Sequence, residues 1–203
     1  MNMWVLIWFL FWIIVLGIPN YLFKKYQITF YKYPWQHVLF YTVALMALFF
    51  VYQEPLLYYF QNIDLIFFFI LFGVLFLWLL VPKWYQKDYF TKQERLHYQI
   101  PKFFDVVFQQ CGFLAGLLTF GVSPIYFGLI FFLTHLPLVF FIPKKYAFVF
   151  SFGSLFGGIA FSLLHIQGVH GFLFALFLHL SFYAGLHYIL SRKKFLGGTP
   201  HKR

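Results

Sequence analysis

Seven apolar runs divide the chain, at about 3–18, 37–52, 65–81, 103–120, 125–141, 146–166 and 170–190. Each is 16 to 21 residues long, close to the roughly 20 that a helix needs to cross a hydrocarbon core. In lipid every backbone N–H and C=O must be paired within the protein, which leaves helices or closed barrels as spanning structures. A barrel would alternate apolar and polar residues in segments of about ten, and these runs do not alternate. The expected fold class is therefore all-α, a polytopic membrane helix bundle of about seven transmembrane helices. Composition agrees. Of 203 residues 63% are hydrophobic and 10% charged, against about 25% charged in soluble domains. That balance excludes a soluble enzyme, a disordered tail and a disulfide-stapled secreted domain. Cys111 is the only cysteine, so no intrachain disulfide can form, and no Cys/His spacing suits zinc.

The basic residues test the count of spans. Lys24, Lys25 and Lys32 follow the first run; Lys83, Lys87, Lys92, Arg95 and Lys102 follow the third. Lys144 and Lys145 follow the fifth, and Arg192, Lys193, Lys194, Lys202 and Arg203 follow the seventh. These are all fifteen Lys and Arg, and the alternate connectors have none. Cytoplasmic loops collect Lys and Arg, so the pattern predicts an N-terminus outside and a C-terminus in the cytoplasm. The same rule accounts for the net charge of +10 without nucleic acid, for which no binding motif appears. The first run has no basic n-region and no small-residue cleavage site, and is expected to be a retained helix.

Polar residues inside the runs concentrate after residue 100. Residues 1–99 are expected to form N-terminal scaffold helices, 100–190 a four-helix working core, and 191–203 a basic cytoplasmic tail. Thr91-x-x-Glu94 resembles a capping box opening a short amphipathic surface helix. The fourth run carries Asp105, Gln109 and Gln110, the fifth His135, and the seventh His179 and Tyr183. At about 1.5 Å per residue, Gln109 and Gln110 lie about 10 Å from the cytoplasmic end of their span, with His135 at a similar depth. His179 lies near mid-bilayer. The same arithmetic puts His165 and His170 at the outer surface, unable to join the group. Gly112-x-x-x-Gly116 and Gly153-x-x-x-Gly157 are read as close-packing helix faces. Trp4, Trp35 and Trp84 suit interface belts.

Gln109-Gln110-x-x-x-Leu114, Phe131-x-x-x-His135 and His179-x-x-x-Tyr183, in that order on successive spans, resemble the three motifs of the CAAX-protease and bacteriocin-processing family of intramembrane endopeptidases: EExxxR, FxxxH and HxxxN or HxxxD. The resemblance covers about residues 100–190. It implies a site for peptide hydrolysis in which the first glutamate activates a water, while the histidines and the third-motif Asn stabilise the developing oxyanion. It also implies a prenylated or hydrophobic peptide as partner beside the lipid bilayer, no cofactor or metal, and an integral protein of a prokaryotic plasma membrane. The departures bear directly on chemistry. Both glutamates are Gln, the arginine is Leu114, and the third-motif residue is Tyr183. An amide cannot act as a general base, whereas a phenol can still donate to an oxyanion. The expectation is a catalytically degenerate family member at Gln109, Gln110, His135, His179 and Tyr183. Two alternatives stand beside it. One is an active protease using Asp105 as a displaced base, one turn before Gln109. The other is a small transporter or lipid-handling protein whose histidines relay protons. Ordinary bundle roles compete throughout: interhelical glue for the glutamines, hydrogen-bonded bundle positions for the histidines, and an interfacial place near Lys102 for Asp105.

Overall fold

The computed structural model describes residues 3–26, 28, 32–80, 92–136 and 144–192, and every regular element among them is helical. The chain forms α1 (Met3–Trp12), a π-helical segment (Ile13–Gly17), α2 (Ile18–Lys25), α3 (Pro34–Val51) and α4 (Gln53–Phe60). It continues as α5 (Leu65–Leu80), α6 (Lys92–Phe120), α7 (Pro124–His135), α8 (Lys144–His165) and α9 (Val169–Arg192). Three of these are long and apolar enough to cross a membrane: α3, the Leu96–Phe120 part of α6, and the Phe148–His165 part of α8. A fourth candidate is the pair α4 and α5, bent by 100°. The helices Met3–Trp12, Pro124–His135 and Val169–Gly185 are apolar but shorter. Large exposed apolar side chains such as Phe50, Phe69 and Phe156 fit a lipid-facing surface, and the chain is accordingly a membrane protein.

Several boundaries differ from the sequence expectation, each for a local reason. Pro19 was expected to close the first run, but the chain continues as α2 beyond it. Pro19 comes just after the π-helical turn Ile13–Gly17, whose wider register accommodates a residue with no N–H to give to the preceding turn. The polar stretch before residue 103 does not stand apart from the fourth run; α6 runs unbroken for 29 residues through Pro101. Its lower half is anchored to α5 by a reciprocal pair. Trp78 Nε1–H donates to the Gln99 carbonyl at 2.9 Å, and Gln99 Nε2–H donates back to the Trp78 carbonyl at 2.5 Å. The expected capping box begins at Thr91, outside the described residues, as do Trp84 and the tail beyond Arg192. Residues 53–60, expected in a connector, form α4. Asp64 then caps α5, accepting the Phe67 N–H at 2.8 Å. That bond, with His170 3.5 Å away, holds the Asp64 carboxyl below its ordinary value.

α6 is the axis of the bundle. Phe113, at its centre, meets the rings of Phe127, Phe131 and Phe161 edge-on at 4.8–5.9 Å. Gly112 and Gly116 admit the tryptophans of α1: Trp8 Nε1–H donates to the Gly112 carbonyl at 2.8 Å, and a Cβ on Gly116 would lie 2.5 Å from the Trp8 indole. α7 and α8 touch backbone to backbone at Gly128 and Gly158, where a Cβ on Gly158 would be 3.0 Å from the Gly128 Cα. Gly153 and Gly157, expected to form a second close-packing face, do not. A Cβ on Gly153 would meet nothing nearer than 3.9 Å, and one on Gly157 only the Phe161 ring, at 3.5 Å. The helix presents them to a cavity instead. The turn between α8 and α9 reverses within three residues because Gly168 adopts φ +78°, a conformation open to glycine without strain.

Candidate functional site

α6, α7, α8 and α9 enclose a cavity of about 500 Å³. Gln109, His135, His179 and Tyr183 line it, so four of the residues singled out in the sequence share one space. The rest of the wall is mainly aromatic and aliphatic, from Phe131, Phe150, Phe156, Phe161, Leu178 and Phe182, with Ser154 and Ser181 as further polar groups. Phe156, Leu178 and Phe182 are also exposed on the outer surface of the bundle, which gives the cavity a sideways mouth between α8 and α9. Gly153 and Gly157 provide its volume: any larger side chain at either position would project into it.

Two hydrogen-bonded chains back this wall. In the first, Lys102 Nζ donates to Asp105 Oδ2 at 2.7 Å, and Gln109 Nε2–H donates to Asp105 Oδ1 at 2.7 Å. The three side chains follow one another at i, i+3 and i+7 on one face of α6, the spacing that makes helical neighbours. The pair is buried, with side-chain exposures of 10% for Lys102 and 5% for Asp105. Lys102 Nζ also sits 3.6 Å from the centroid of the Tyr183 ring, a cation–π contact, and the Tyr41 phenol approaches the carboxylate from α3. Asp105 is therefore the anionic partner of a buried lysine, packed inside the bundle beside Lys102. It is not part of the cavity wall, and each of its oxygens already accepts a hydrogen bond.

In the second chain, Gln110 bridges two histidines. Its Nε2 lies 2.8 Å from His179 Nδ1, and its Oε1 lies 3.0 Å from His165 Nε2. This overturns the expectation that His165 lies outside the group. His165 is 1% exposed and packs against the rings of Phe113 and Phe172. Counting Cα positions along a helix misplaced it, because side chains lean toward the N-terminus of their own helix. His165 ends α8 and leans back from the turn; His179, roughly 15 Å into α9, leans toward it. Gln110 lies where the two approach. His135, expected at a depth similar to that of Gln110, bonds within its own helix, its Nδ1 lying 2.8 Å from the Phe131 carbonyl. It joins the others only through the cavity. His170 stays apart, beside Asp64.

The amide orientation of Gln110 follows from the network. Its Nε2–H donates to a bare His179 Nδ1, and His165 Nε2–H donates to its Oε1. One polar atom is then left over, the His165 Nδ1 lone pair, which is buried without a partner. With the amide reversed, His165 Nε2 would accept and its proton would move to Nδ1. A buried donor would then be orphaned, at about 1–3 kcal/mol. The structure has the first arrangement, which leaves an acceptor and not an N–H unmet; orphaned buried N–H groups are the rarer of the two.

Sequence reasoning placed Lys102 beside Asp105 without making it a member of the site, and left His165 out. The i, i+3 spacing of Lys102 and Asp105 is the signal for their pairing. His165 closes a second Phe-x-x-x-His, at Phe161, and a depth argument set it aside. Among the described residues no group of three or more His, Cys, Asp or Glu gathers where it could hold a metal ion. The cavity can thus accommodate an apolar ligand and offer it neutral hydrogen-bonding groups, but it presents no carboxylate to activate a water. No family model matches the chain, and no curated protein or solved structure matches it either.

Proposed function

We propose that this protein is a degenerate counterpart of the CAAX-protease-like intramembrane endopeptidases, one that holds a lipidated or otherwise hydrophobic peptide without cleaving it. The observation that carries the reading is the cavity: Gln109, His135, His179 and Tyr183 line it together, and no carboxylate does. Its volume of about 500 Å³ falls in the range of ligand sites, about 300–1,000 Å³. The sideways mouth suits an occupant that arrives through the bilayer. The test is photo-crosslinking of a farnesylated, diazirine-bearing peptide to the protein in proteoliposomes. Capture should fall about tenfold or more in Gly157→Phe, because a filled cavity can no longer cover most of a ligand's surface. Undiminished capture by that variant would remove the cavity from the function.

The reading includes seven spans, an N-terminus outside and a C-terminus in the cytoplasm of a prokaryotic plasma membrane. The alternation of all fifteen Lys and Arg supports it. The shorter apolar helices would complete the number of spans beside the three or four long ones. Single cysteines at positions 86 and 167, with Cys111 replaced, should react with an impermeant maleimide from opposite faces of the membrane. Labelling of both from the same face would reject the seven-span arrangement.

A further inference from the structure

The polar wall of the cavity has a definite hydrogen-bond polarity, and two residues behind the wall set it. Gln110 Nε2–H donates to His179 Nδ1 at 2.8 Å. The ring is therefore neutral, carries its proton on Nε2, and has that N–H as its one donor. His165 keeps the Gln110 amide from turning over, by donating to Oε1 at 3.0 Å. On the other side, His135 Nδ1 faces the Phe131 carbonyl at 2.8 Å and the Thr134 hydroxyl oxygen at 3.3 Å. Thr134 gives its own proton to the same carbonyl, at 2.7 Å. Both neighbours of Nδ1 are thus acceptors, the proton belongs on Nδ1, and the neutral ring has a bare Nε2. The two histidines that line one cavity have opposite characters: one donor and one acceptor.

We infer that this pair receives a secondary amide. The ligand carbonyl oxygen accepts from His179 Nε2–H, and the ligand N–H donates to His135 Nε2, with Gln110 and His165 as positioning residues that hold His179 in the donating tautomer. The inference rests on the peptide-holding reading above and deepens it: the polar end of the cavity takes a peptide bond, and the Phe-lined remainder takes the apolar chain. The geometry makes Gln110 more than a lost glutamate. A carboxylate at 110 has no proton to donate, so it would force a proton onto His179 Nδ1. The donor facing the ligand would then be withdrawn, or the ring would become a cation.

The test uses the full chain in lipid nanodiscs with nitrogen-15 in the histidine rings, His179 being assigned by its disappearance in His179→Asn. Wild type should show His179 with a protonated Nε2 and a bare Nδ1; Gln110→Glu should protonate Nδ1, and His165→Leu should mix the two tautomers. A purely structural role for Gln110 would leave these signals where they are. Binding is then compared for N-methyl lauramide and methyl laurate, which share a chain but differ in the N–H. Wild type should prefer the amide about tenfold, the affinity equivalent of one hydrogen bond, and His135→Leu should abolish the preference. A wild-type His179 protonated on Nδ1, or equal binding of the two probes, overturns the inference. Equal binding that Gly157→Phe still blocks would leave the cavity reading standing, whereas binding of neither probe would overturn both. Should Gln110→Glu fail to fold, the wild-type spectrum and the probe comparison decide alone.

Discussion

Asp105→Ala should cost the protein about 3–5 kcal/mol of stability, as expected when one partner of a buried ion pair is removed. Lys102 is left behind with a side chain only 10% exposed, and its charge must then either be neutralised or draw water into the bundle. The Tyr183 ring at 3.6 Å offsets part of this, since a desolvated cation–π contact is worth about 2 kcal/mol. It cannot replace a hydrogen-bonded carboxylate. Gln109 loses its acceptor at the same time, so the wall of the cavity should loosen together with the helix. The double variant Lys102→Met with Asp105→Leu should behave differently, because replacing both members of a buried pair by apolar residues is often neutral or stabilising by about 1–4 kcal/mol. Unfolding of the purified protein in mixed micelles by added dodecyl sulfate, followed by circular dichroism, measures both. An Asp105→Ala protein as stable as wild type would mean that Lys102 is not confined as described.

The largest effect on activity is expected from moving a carboxylate by one helical turn. Wild type should hydrolyse a fluorogenic apolar peptide in proteoliposomes no faster than empty vesicles do. Asp105 is held by Lys102 and Gln109 behind the wall, and the amides of Gln109 and Gln110 can orient a water but not deprotonate it. Restoring both glutamates of the motif is the obvious experiment, but the networks speak against it. A carboxylate at 109 would lie beside that of Asp105, where like charges repel, and one at 110 would disturb His179. The exchange Asp105→Asn with Gln109→Glu avoids both problems. It conserves the number of charges on that face of α6, keeps Gln110, and puts the carboxylate at a position that lines the cavity. General-base assistance contributes about 10²–10⁴-fold, which is the largest gain to be expected of this exchange over wild type. Robust wild-type turnover that survives Asp105→Asn would defeat the degenerate reading and the displaced-base reading together. Turnover abolished by Asp105→Asn or by His135→Ala would establish an active protease instead.

The all-helical membrane character of the chain was legible because it is carried by composition and run length: a stretch such as 65–80, with neither a charge nor an alternation of apolar and polar residues, satisfies its backbone in lipid as a helix. The face shared by Lys102, Asp105 and Gln109 was legible as well, since helical spacing alone brings those residues together. Element ends were less so. Pro19 and Pro101 break helices in water, and whether they break one here depends on the π-helical turn before Pro19 and on the Trp78–Gln99 pair that holds the lower half of α6. The two Gly-x-x-x-Gly motifs look alike as sequences and act differently, because what a glycine does depends on its neighbour. Gly116 meets the Trp8 indole, while Gly153 meets open space. The polar contacts between helices were the least legible. Sequence spacing locates each Cα along its own helix but is silent on rotation, tilt and the lean of side chains toward the helix N-terminus. Those quantities, fixed by packing around Phe113, bring His165 rather than His135 to Gln110 and leave His135 to meet His179 across the cavity.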